Sequence, residues 1–127
     1  MIRVYIAGAI TPTGDENHAI EFLNNIRTGI RAALHLMHEG FAPFCPMLDF
    51  QYFLCLPYGW SITSEKIYEL SIEWMKACDV ILLLSGAEKS KGWKREKMVA
   101  DAEGIPIYTS VGSLKEDVEK GVIKCLY

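Results

Sequence analysis

The sequence lacks the markers of several large enzyme classes. No serine stands in a GxSxG turn, and the histidines, His18, His35 and His38, all fall on one helical stretch, which argues against a serine hydrolase. Gly86 and Gly92 are not followed by GK[ST], so there is no P-loop. The first strand carries Gly8 alone where a dinucleotide fold wants GxGxxG. Cys45, Cys55, Cys78 and Cys125 form no CxxC pair and read as reduced, mostly buried thiols rather than zinc ligands or a disulfide frame. His35 and His38 share a helix face, read as solvated rather than metal-binding. No apolar run approaches a membrane span, and from the strand-like start Met1-Ile-Arg-Val no signal peptide is expected. A soluble, cytoplasmic protein without a membrane partner is expected. Cations are scarce early: residues 1–60 hold Arg3, Arg27 and Arg31. With a net charge of −3, binding to nucleic-acid polymers is disfavoured.

What is present is one domain, residues 1–127, half of it hydrophobic and long enough for a core. Residues 3–10 are β-branched and aromatic, then abruptly small at Ala7-Gly8-Ala9, giving a strand that runs into a close-approach turn. Over residues 17–37, Ile20, Leu23, Ile26, Ile30, Leu34 and Met37 recur at threes and fours, predicting a long amphipathic helix closed by Gly40. Residues 41–44 form a short strand that Pro43 assigns to an edge. Residues 45–62 are expected to be irregular, with Tyr52, Phe53, Tyr58 and Trp60 as a wall against a ligand base or, equally, as a satellite core or subunit contact.

A second helix is predicted over 64–77, capped by Ser64, with Ile67, Leu70 and Trp74 on one face. A buried strand follows over 79–84, a third helix over about 92–103, and a fourth strand from Gly104 to Tyr108. Ser113-Leu-Lys-Glu116 reads as a capping box opening a short helix. Residues 122–127 are assigned to a fifth strand or a docking tail. Strands alternating with helices imply an α/β fold: a three-layer, Rossmann-like or flavodoxin-like parallel sheet of order about 2-1-3-4, with helices on both faces.

The stretch Ser85-Gly-Ala-Glu-Lys-Ser-Lys-Gly-Trp-Lys-Arg-Glu96 joins the most apolar strand to a helix. In an open α/β sheet ligands sit where such loops meet helix N-termini. Ser90, Gly92 and Glu96 are expected to face one small ligand, beside the turn at Gly8–Ile10 across the switch point. Among Lys89, Lys91, Lys94, Arg95 and Lys97, one or two meet a phosphate on the sharper reading; on the plainer one they solvate a helix start. Glu96, placed in the first helical turn, should stay ionised, as suits a nucleophile at an anomeric carbon. Spacing alone fits a carboxylate that merely complements the helix dipole at least as well.

Tyr5-Ile-Ala-Gly-Ala-Ile10, Ile72-Glu-Trp-Met-Lys-Ala-Cys-Asp79 and Ser90-x-Gly92-x-x-x-Glu96, followed by Ala100 and Gly104-Ile-Pro106, resemble the nucleoside 2-deoxyribosyltransferase family, including the 2′-deoxynucleoside 5′-phosphate N-hydrolases and short phage or bacterial domains like them. The resemblance spans about residues 3–108. It implies N-glycosidic chemistry on a small-molecule deoxynucleoside or its monophosphate, without metal or organic cofactor, in a homo-oligomer to which Tyr127 could contribute across subunits. It places the nucleophile on Glu96, its orienting phenol on Tyr5, sugar or phosphate contacts on Ser90 and Gly92, and the small turn on Gly8 and Ile10.

Two departures stand out. The family carries a proton-transferring Asp eight residues before the strand-opening Asp79; here that position is Ser71, with Asp49 or Glu69 as the substitutes to consider. Trp93-Lys94-Arg95 also replaces small residues, narrowing or recharging the pocket. Asp79 itself is read as a structural residue at the strand start. Rival readings are a non-catalytic nucleotide-binding or sensing module on the same fold, and an interaction protein using residues 45–62.

Overall fold

The computed structural model describes residues 1–10 and 17–123. Strand β1 (Arg3–Ala7) and strand β3 (Val80–Leu83) form the central pair; β2 (Ala42–Phe44) and β4 (Ile107–Tyr108) flank them. All pairings are parallel, and the order is β2-β1-β3-β4, the expected 2-1-3-4. Each crossover carries a helix, as parallel neighbours require.

The layers follow from strand alternation. Successive side chains of β1 point to opposite faces. Val4 and Ile6, with Val80 and Leu82 of β3, pack against Ile26, Ala33 and Leu36 of α1 (His18–His38) and Val111 and Leu114 of α4 (Val111–Glu119). Tyr5, Ala7 and Ile81 face the other way, onto Met75 of α2 (Ser64–Lys76) and Trp93 and Ala100 of α3 (Lys91–Glu103). The sheet is thus covered on both faces, which is why its strands read as continuous apolar runs. This is a three-layer, Rossmann-like α/β fold.

Helix α1 forms where expected, but its buried face is shifted: of the expected stripe Ile26 is buried and Ile30 packs against the core. Ile20, Leu23, Leu34 and Met37 lie exposed, while Ile26, Gly29, Ala33 and Leu36 dock. Close approach fixes one position: a Cβ on Gly29 would stand 2.9 Å from Met47 Sδ, so a glycine faces the turn after β2. Likewise α2 buries Ser71 and Met75 and leaves Leu70 and Trp74 outside. Its cap is Thr63, whose hydroxyl accepts from Lys66 N at 3.1 Å, and not Ser64. Helix α4 is capped by Ser110, which accepts from Ser113 N at 3.0 Å; the predicted box at Ser113–Glu116 lies inside the helix.

Residues 45–62 are more ordered than a structureless loop, with 3₁₀ turns over Pro46–Cys55. Strand β2 is an edge, as Pro43 implies. Ala42 N donates to Ile2 O at 2.9 Å, so by alternation the nitrogen of Pro43 turns to the open side. Asp79 opens β3 by accepting from Arg3 N at 2.7 Å, in keeping with its structural reading. Val122 and Ile123 join no strand, and the expected tail over 124–127, with Tyr127 and Cys125, lies outside the described residues. Of the other cysteines, all free, Cys55 is exposed rather than buried. Among the described residues no helix is long and apolar enough to cross a membrane.

Candidate functional site at the carboxyl ends of the central strands

Strands β1 and β3 end side by side, Ala7 opposite Leu83, and open onto a cavity of about 770 Å³. Tyr5, Gly8, Ile10, Ser71, Ser90, Gly92 and Glu96 all line it. These residues come from β1 and the turn after it, from α2, and from the start of α3. The topology therefore brings together positions up to 91 apart in the chain.

Glu96 is the sixth residue of α3 and so sits in its second turn; the first turn holds no acid. That overturns the expectation that the helix terminus would keep it ionised. Burial instead pushes its carboxyl up to about 7, while the Tyr5 hydroxyl, donating to Oε1 at 3.0 Å, pulls the other way. The Tyr5 phenol is held far above its usual range, first by burial and then by the Glu96 charge, so it remains a donor. The ring of Tyr5 is fixed by stacking on Phe44, centroids 5.8 Å apart, and Phe44 stacks in turn on Trp74 at 5.7 Å. Tyr68, half-buried beside Gly92, is pushed up to about 12 by burial and by the Glu96 charge.

Ser90 caps α3, its Oγ accepting from Trp93 N at 3.1 Å. The oxygen keeps a proton to donate toward the cavity. Gly92 makes room for Tyr68: a Cβ there would lie 3.3 Å from the Tyr68 ring, and the Tyr68 hydroxyl donates to Gly92 O. At Gly8 a Cβ would fall on the Met47 methyl, so this turn is shaped by packing as well as by any ligand. Ile10 lines the wall, and its carbonyl accepts from Asn25 Nδ2 at 3.2 Å.

The basic loop divides. Lys89 and Lys91 line the cavity. Arg95 turns outward, bidentate on Glu65 at 2.8 and 3.1 Å and 4.3 Å above the Tyr68 ring; Lys97 pairs with Asp101 at 2.8 Å. Trp93 is buried in the core and forms part of the wall, so it narrows the pocket without recharging it. Of the aromatic residues proposed as a wall, Phe53 takes that place, with Phe50 and Phe22; Tyr52, Tyr58 and Trp60 are exposed and do not line the cavity.

Ser71, where the resembled transferases carry an acid, is buried at 6% exposure, and its Oγ stands 3.3 Å from Asp49 Oδ2. Asp49 also lines the cavity. Burial raises its carboxyl, offset in part by the Ser71 hydroxyl. Glu69 is exposed, pairs with Lys66 at 3.7 Å and does not reach the cavity.

Comparison with known families places the domain. Residues 2–109 match DUF4406, a domain of unknown function. The chain belongs to the DUF4406 family. No curated protein matches it. The family name carries no activity, so the chemistry of this DUF4406 domain rests on its cavity. Lys89, Lys91, Phe22, Phe50 and Asp49 line that cavity beyond the residues singled out as its site. Lys89 and Lys91 were visible as a charge cluster. Phe22 and Phe50 meet edge-on, centroids 6.0 Å apart, across α1 and the turn after β2, a pairing that no local spacing announces. Among the described residues no group of three or more His, Cys, Asp or Glu could hold a metal ion, and His35 is solvated, 4.0 Å from Glu39.

Proposed function

We propose that this DUF4406 chain cleaves or transfers the N-glycosidic bond of a 2′-deoxynucleoside or its 5′-monophosphate through a covalent deoxyribosyl–Glu96 intermediate. The observation that carries the reading is the Tyr5–Glu96 bond of 3.0 Å at the wall of a cavity large enough for a nucleotide. The resemblance to the nucleoside 2-deoxyribosyltransferases supports it, because two of the matched motifs, Tyr5–Ile10 and Ser90–Glu96, meet at that cavity.

In this scheme Glu96 Oε2 or Oε1 attacks C1′ from below the sugar, and Tyr5 keeps the carboxylate aimed. An oxocarbenium-like transition state is stabilised by the adjacent negative charge. Ser90, Gly92 and the α3 amides face the sugar or its phosphate, with Lys89 and Lys91 as counter-charges. Phe22, Phe50 and Phe53 offer apolar faces to the base. On this reading the protein works in the cytoplasm as a homo-oligomer. Ile20, Leu23, Ile30, Leu34 and Met37 on α1 fall at a and d positions of a heptad and include a largely exposed row, which suits a helix of a second copy.

The test is incubation with the common 2′-deoxynucleosides and their 5′-monophosphates, following free base. Release that Glu96→Ala abolishes supports the mechanism; release that survives the substitution removes it. A second reading, a nucleotide-binding module without turnover, is favoured by Ser71 standing where the related enzymes carry an acid. Tight binding by calorimetry with no base released on long incubation would select it.

A further inference from the structure

We propose that Asp49 is the general acid of this site, giving its proton to the departing base, with Ser71 holding its carboxyl in place. The proposal rests on the glycosidic reading above, since it supplies the acid that reading needs.

Three observations converge on Asp49. It lies on the 3₁₀ turns after β2, away from α3, yet lines the same cavity as Glu96. Glycosidic cleavage uses two carboxyl groups on different sides of the scissile bond, and these two arrive on different elements. Second, Ser71 Oγ touches Asp49 Oδ2 at 3.3 Å from the position where the resembled family carries its acid. The Asp49 carboxyl lies on another stretch of backbone, within one side-chain contact of that place. Third, Glu69, the other substitute, is solvated and paired with Lys66.

The contacts of Ser71 hold the Asp49 carboxyl in place in either protonation state. Its Oγ stands 3.1 Å from Ile67 O and 3.3 Å from Asp49 Oδ2. A hydroxyl has one proton to give, and a carbonyl can only accept. Ser71 thus has two acceptors for one proton: given to Asp49 it favours the carboxylate and offsets part of the burial effect, and given to Ile67 it leaves a lone pair to accept from the protonated acid. The side chain is partly buried, and burial favours the neutral form.

The step balances as follows. A Glu96 oxygen forms a bond to C1′ while the C1′–N bond breaks and leaves its electron pair on the base. The Asp49 proton passes to a base nitrogen, so the base departs neutral. Water then attacks C1′, its proton returns to Asp49, and the electron pair of the ester bond returns to Glu96. With a second base as acceptor, the same carboxylate takes the proton from that base.

A leaving group that needs no proton separates this role from a structural one. Wild type, Asp49→Asn, Glu96→Ala and the double variant Asp49→Ser/Ser71→Asp are assayed on the best natural substrate of the panel and on 4-nitrophenyl 2-deoxyriboside 5-phosphate. Asp49→Asn should slow release of the natural base by about 10²–10⁴-fold, while release of nitrophenolate changes by no more than a few-fold. The double variant, which places the carboxyl on the helix, should recover natural-base release relative to Asp49→Asn. Equal slowing on both substrates, unaffected release of the natural base, or a folded double variant that recovers nothing would each overturn the assignment while leaving Glu96 untouched. A wild-type protein that releases neither group overturns the glycosidic reading, and this assignment with it.

Discussion

The Tyr5 hydroxyl donates to Glu96 Oε1 at 3.0 Å, tying the centre of the sheet to the second turn of α3. Burial and this bond act on the carboxyl in opposite directions. Tyr5→Phe keeps the stacked ring and removes only the donor. The Glu96 titration midpoint, followed by carbon NMR of the labelled carboxyl, should therefore rise above its value of about 7. An unchanged midpoint would mean that the bond does not favour the ionised form. Tyr68 and Asp49 also face this region, so the rise should persist when Tyr5→Phe is combined with Tyr68→Phe or with Asp49→Asn.

The raised carboxyl has a stability signature. The folded chain holds the Glu96 proton up to about pH 7, against an ordinary value of 4.5. The folded state therefore binds more protons than the unfolded state between these values, and stability falls as pH rises through them. The contribution is fully present below 4.5 and lost above about 7, a span worth roughly 3 kcal/mol. Glu96→Gln is neutral throughout. At pH 8 it should unfold at higher urea concentration than the wild type, and the gap should narrow toward pH 4. A gap independent of pH would contradict the linkage.

Asp79 accepts from Arg3 N at 2.7 Å and lies outside the cavity wall. Asp79→Ala should cost about 1–3 kcal/mol in urea unfolding, the usual penalty for deleting a charged acceptor. Nucleotide affinity measured by calorimetry should stay within a factor of two or so of wild type once the variant is folded. Strong loss of affinity at full folding would assign Asp79 to the site.

Lys89 and Lys91 line the cavity while Arg95 is engaged by Glu65. Removing either lysine should weaken a 5′-monophosphate by roughly 1 kcal/mol, about fivefold, and leave the parent nucleoside unchanged. The loss should shrink at high salt. Arg95→Ala should leave both affinities alone. Equal weakening of nucleotide and nucleoside by Lys91→Ala would remove the phosphate contact.

Much of this architecture could be read from the sequence because the evidence there is local. The run Val80–Leu83, the Gly104 stop in a left-handed conformation at φ 69°, and the alternation in β1 each declare an element within a few residues. Ser90, Gly92 and Glu96 sit on one short segment, so their shared direction was predictable. The face that α1 buries was so only in part. Two apolar stripes compete on that helix, and Met47, which needs the small surface at Gly29, fixes one position of the buried face. Asp49 and Glu69 could both be named as substitutes for the acid, but the choice between them depends on 3₁₀ turns and on a contact with Ser71 across 22 positions. The ionisation of Glu96 was misjudged by a single turn of helix, which exchanged a dipole effect for a burial effect.

The edge strand β2 bears on aggregation. Open sheet borders recruit strands from neighbouring molecules through their unpaired amides. Here that border is three residues long, and the amide midway along it is replaced by the ring of Pro43. A second sheet laid alongside would find no donor at its centre. Fibrillar growth from β2 is discouraged by one imino acid.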